Sequence, residues 1–78
     1  MNFTVRQEEN YWAARAVDEF GEFNFSMADA DKDRAIFKLG MLVGRCPEMF
    51  ARPIGQFSLV DEKMNRLLIN SIADGHLK

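Results

Sequence analysis

Cysteine is nearly missing: Cys46 stands alone among 78 residues. That excludes an internal disulfide framework, and with it the stapled secreted mini-protein. Histidine is as scarce, with His76 the sole copy. Metal sites need three or four ligands at recognisable spacing, and nucleophilic catalysis needs a nucleophile, a base and an orienting group. Cys46 is therefore expected to be a buried small hydrophobe and His76 a solvated tail residue. No catalytic group, metal site or cofactor is read from the sequence. Long apolar runs are also lacking. The longest, Leu39-Gly40-Met41-Leu42-Val43-Gly44, is far short of the ~20 residues that span a bilayer. Met1 to Arg6 have no signal-like apolar stretch. A cytoplasmic protein without a membrane partner is expected. No glycine-rich phosphate loop or nucleotide fingerprint occurs.

What the chain has is split charge. Residues 1–33 carry eight acids against three bases, a balance of −5, and residues 34–78 carry seven bases against four acids, a balance of +3. Asymmetry of this kind bears on partners and encounter, not on fold. The composition is 47% hydrophobic with seven Phe, rich for a short chain. Such a chain buries only about 60–65% of its unfolded surface. Some rings are expected at an interface with a partner or a second copy.

Hydrophobic spacing reads as helix. Trp12, Ala13, Ala16, Val17 and Phe20 share one face of a 3.6-residue period, which predicts a helix over 5–20. Thr4 and Gln7 fit a capping box before it, and Gly21 a stop after it. Phe23-Asn24-Phe25 reads as an extended linker, with Asn2–Val5 a candidate strand partner. Ser26 and Asp29 fit a second capping box, starting a helix that runs through Ala35, Leu39, Leu42 and Cys46 until Pro47 ends it. A short helix over 48–51 follows, then a linker over 54–57. Ser58 and Asp61 cap a last helix over 59–74, with Gly75 as its stop. The expected fold is all-α: a small single-domain helical bundle spanning 1–78, with three main helices plus one short helix.

Three motifs need weighing. Asp29-Ala30-Asp31-Lys32-Asp33-Arg34 imitates half of a calcium loop, but Arg34 replaces the required Gly and Gly40 the required Glu. It reads better as acids placed at a positive helix N-terminus. Gly40-x-x-x-Gly44 costs about 1 kcal/mol per glycine in a helix, so another backbone should approach it closely, within the bundle or across a dimer. The acid pairs Glu8/Glu9 and Asp18/Glu19 lack neighbours that would separate their pKa values, as acid–base catalysis requires.

Without chemistry, binding remains. Glu8, Glu9, Asp18, Glu19, Glu22, Asp29, Asp31 and Asp33, with Tyr11 as an aromatic anchor, form the candidate face for a protein partner with a basic, nucleic-acid-binding surface. Size, acidity and missing catalytic groups resemble the small phage and mobile-element proteins that block host nucleases and defence complexes, including anti-CRISPR proteins. The resemblance implies a non-enzymatic inhibitor or accessory factor whose carboxylates stand where phosphates would go. Two alternatives draw on the same charge asymmetry. Arg34, Lys38, Arg45, Lys63 and Arg66 would serve weak nucleic-acid binding, against which stands a sequence pI near 5.3. A homodimer would pair the acidic half of one copy with the basic half of another.

Overall fold

Apolar residues at every second position build the first half of the molecule. The computed structural model describes residues 2–18, 24–46 and 62–77. Phe3 and Val5 in β1 (Asn2–Gln7), Trp12, Ala14 and Ala16 in β2 (Trp12–Val17), and Phe25 and Met27 in β3 (Asn24–Asp29) turn to one side. The strands form an antiparallel meander in the order β1-β2-β3. Its register aligns three inward rows: Phe3–Ala16–Phe25, Val5–Ala14–Met27 and Gln7–Trp12–Asp29. A tight connection joins β1 to β2, where the Glu8 N–H donates to the Tyr11 carbonyl at 2.8 Å.

Among the described residues two helices follow the sheet, α1 (Lys32–Gly44) and α2 (Glu62–Leu77). The order β-β-β-α-α makes this an α+β domain and corrects the all-α expectation. The helix expected over 5–20 is replaced by β1, a turn and β2, because Trp12, Ala14 and Ala16 fit a period of two on the inner face, while Ala13 and Val17 take the outer one. Thr4–Gln7 lies inside β1 and Ser26–Asp29 inside β3, so neither is a capping box. Asn24 and Phe25 belong to a true strand, paired with β2 rather than with Asn2–Val5. The expectations for Phe20, Gly21, Phe23, Pro47, the short helix over 48–51, the linker over 54–57 and Ser58–Asp61 lie outside the described residues.

The start of α1 is set by its acids. Asp31 is the N-cap, its side chain accepting from the Asp33 N–H, while Asp29 Oδ1 accepts from the Asp31 N–H at 2.9 Å. This satisfies donors that a helix start leaves open, and it moves the start to Lys32. Arg45 caps the other end, donating its N–H to the Met41 carbonyl at 3.1 Å.

Helix α1 lies between β2–β3 and α2. Ala35, Ile36, Leu39 and Val43 join Phe3, Ala14 and Ala16 of the sheet and Leu68 and Ile72 of α2 in one core. The central strand presents alanines to α1, both fully buried, so the helix can sit low on the sheet. The seam between the helices is equally spare. A Cβ on Gly40 would overlap that of Ser71, and one on Gly44 would overlap the Ile72 carbonyl. Gly75 is not a stop: it lies within α2, where a Cβ would meet the Met41 carbonyl oxygen at 2.6 Å. The glycine pair thus serves close packing inside the domain. Its counterpart is Ser71-x-x-x-Gly75 on α2. Cys46 is half-buried against the core.

Candidate protein-binding site

The register divides the acids between the two ends of the sheet. Gln7, Trp12 and Asp29 form the last row at one end. Just beyond it stand the turn residues Glu8, Glu9 and Tyr11 and the helix start with Asp31 and Asp33. The Lys32 ammonium lies 5.3 Å from the Trp12 ring centroid, which fixes the first turn of α1 against this end of β2. Glu9, Asp31 and Asp33 are exposed, Glu8 is half-buried, and Tyr11 keeps 42% of its surface in solvent.

Asp18 is buried at the opposite end, past Val17 and Asn24. Glu19 and Glu22 lie outside the described residues. Asp29 points inward and serves the fold. Its carboxylate takes the Asp31 N–H, then Lys38 Nζ at 2.6 Å, with Arg34 Nε at 3.8 Å. That backbone hydrogen bond, followed by Lys38 and then Arg34, holds its pKa below the ordinary carboxylate value, against the contrary pull of burial.

The basic residues are likewise divided. Arg34, Lys38 and Arg45 line one flank of α1, with the first two engaged by Asp29. Lys63 and Arg66 belong to α2, where Arg66 Nη2 reaches Glu62 Oε1 at 3.1 Å, one turn away. A feature that sequence reasoning missed runs beside Lys38 and Arg45. Met27, Phe37, Met41 and Leu42 line an open apolar groove of about 290 Å³ between β3 and α1. Phe37 and Met41, four apart and off the core stripe, were its legible trace.

The sheet's outer face carries Asn2, Thr4, Arg6, Ala13, Arg15, Val17, Asn24, Ser26 and Ala28, with the Arg15 Nε donating to Asn24 Oδ1 at 3.0 Å. Among the described residues, no helix is long and apolar enough to cross a membrane, and no three His, Cys, Asp or Glu are grouped to hold a metal ion. What the fold defines is a small α+β domain with an acidic, tyrosine-bearing end and an apolar groove on one flank. No family model, curated protein or solved structure shows a significant match to the chain.

Proposed function

We propose that this chain is a non-enzymatic protein-binding module that docks its acidic end on a basic, nucleic-acid-binding surface of a partner. The style is that of small phage or mobile-element counter-defence proteins such as anti-CRISPR proteins. One observation supports the reading: β-strand register brings Glu8, Glu9 and Tyr11 to the same end as Asp31 and Asp33. Carboxylates around an exposed tyrosine suit a surface that otherwise holds phosphates, and they speed encounter by attraction at a distance. Asp29 and Asp31 are left out of the working face, because their carboxylates stabilise the helix start.

The test reverses charges whose carboxylates take no hydrogen bond or ion pair among the described residues. Immobilised chain is used to recover the partner, and association is then timed for the Glu8→Lys, Glu9→Lys, Asp33→Lys variant. Association should slow by roughly tenfold or more at low salt, and by little at 1 M salt, where the screening length is about 3 Å. An unchanged rate at low salt rules this end out as the docking surface.

A further inference from the structure

The outer edge of β3 and the groove beneath it form a continuous surface. Glu8 N–H bonds to the Tyr11 carbonyl, so β2 turns the backbone groups of its odd-numbered residues toward β1 and those of its even-numbered residues toward β3. By the same alternation Phe25, Met27 and Asp29 bond to β2, and the N–H and C=O groups of Asn24, Ser26 and Ala28 point to the other edge, where no strand pairs among the described residues. Edge strands are commonly blunted by lysine, proline or a bulge. From Asn24 to Ala28 this one has no charged residue and no proline, and its register is unbroken.

A strand added there would place alternate side chains over the flank of α1. Its central inward side chain would meet Met27, Phe37, Met41 and Leu42, where Phe37 is 44% exposed. Cations stand on both sides of that apolar centre. Lys38 lies toward the Asp29 end, and Arg45 is seven residues further along α1, roughly 10 Å away. Inward side chains four residues apart on a strand are about 13 Å apart, within reach of both. Arg45 is exposed and pairs with no acid among the described residues. We infer that the β3 edge is a strand-addition site for an extended partner segment of the pattern acid-x-apolar-x-acid. Main-chain bonds to Ser26 and Ala28 hold the strand, Arg45 selects one flanking carboxylate, and Lys38 shares its ammonium, already bonded to Asp29 at 2.6 Å, with the other. This surface is separate from the acidic end, and either can fail without the other.

The test titrates isotope-labelled full chain with the capped peptide Thr-Glu-Thr-Leu-Thr-Glu-Thr and with its counterpart bearing Lys for Glu. The acidic peptide should bind saturably. It should slow hydrogen exchange of the Ser26 and Ala28 amides at least tenfold and shift the Met27 and Met41 methyl signals. Ser26→Pro removes one outward donor, and Arg45→Glu reverses one selecting charge. Each should weaken binding about fivefold or more, the worth of one net hydrogen bond, and the Lys peptide should bind at least tenfold more weakly. No saturable binding at millimolar peptide, or equal binding of both peptides, overturns the inference. So does slow exchange at Ser26 and Ala28 in the free monomer, which would mean that the chain covers its own edge. Self-association abolished by Ser26→Pro would assign the edge to a second copy and overturn it equally. If Ser26→Pro unfolds, Arg45→Glu and exchange on the native chain still decide.

Discussion

Replacing Gly44 with alanine sets two magnitudes against each other. In an isolated helix the change stabilises by about 1 kcal/mol, because alanine restricts the unfolded chain and suits the helix. In this domain the new methyl would press on the Ile72 carbonyl oxygen and stand 2.9 Å from the His76 nitrogen and 3.0 Å from the Gly75 Cα. All three are backbone atoms, so no rotamer change relieves them. The helices would have to part by about 1 Å to restore ordinary contact. That movement loosens Leu68 and Ile72, both buried, each of which contributes about 1.5–3 kcal/mol when fully enclosed. Adding overpacking strain of about 1–3 kcal/mol and subtracting the propensity gain leaves a net loss of roughly 2–3 kcal/mol. For a domain of this size the midpoint should fall by roughly 10–20 °C in thermal melts followed by circular dichroism. Gly40→Ala supplies the control, because its main obstacle is the Ser71 Cβ, with Leu68 O at 3.1 Å and Ile72 N at 3.2 Å. Ser71→Gly removes that obstacle. The double variant should therefore be more stable than the two single losses imply, by about 1 kcal/mol. A higher melting temperature for Gly44→Ala, or strict additivity of Gly40→Ala and Ser71→Gly, would refute the close seam.

Two further perturbations probe the sheet and the helix start. Asp29→Asn should lower the melting temperature at neutral pH. Because the folded-state pKa of Asp29 is depressed, its stabilisation is whole above the ordinary carboxylate range and fades as pH falls through the folded value. The gap between wild type and variant should therefore narrow as pH falls below the ordinary carboxylate range, and a gap constant with pH would discard the Asp31 N–H and Lys38 contacts as its origin. Ala14→Leu should cost about 1–3 kcal/mol by crowding α1, whereas Ala13→Leu, on the outer face, should stay within about 0.5 kcal/mol. Urea titration ranks the pair, and the reverse order would contradict the strand register.

Both helices were legible, because each shows an apolar stripe longer than a strand sustains. The stripe from Ala35 to Val43 placed α1, and that from Met64 to Ile72 placed α2. Their ends were less so. Ser26 looked like a cap while Asp31 was the real one, since Ser-x-x-Asp and the nested Asp29–Asp31–Asp33 pattern compete within a few residues. The meander was hidden by Trp-Ala-Ala-Arg-Ala-Val. Alanine favours helices, yet here it sits in the central strand so that α1 can approach, a tertiary demand that local preference does not register. Phe23 and Phe25 alternate in the sequence, but two residues in phase do not distinguish a strand from a linker. Glycine spacing correctly foretold close helix packing, although the matching Ser71 and Gly75 were not read as its other half. The acids were visible as a bloc along the chain. Only strand pairing decides that Glu8 and Asp33 are neighbours in space while Asp18 is remote.

The linear order of the elements has a kinetic consequence. The sheet is built from pairings between chain neighbours, β1 with β2 and β2 with β3, and α1 then folds back across β3 and β2. Such short-range closure is fast, whereas joining Gly40 to Ser71 must close some thirty residues of chain. The first 44 residues should therefore gain order before α2 docks, and the glycine–serine seam should be the last part of the molecule to assemble and the first to open.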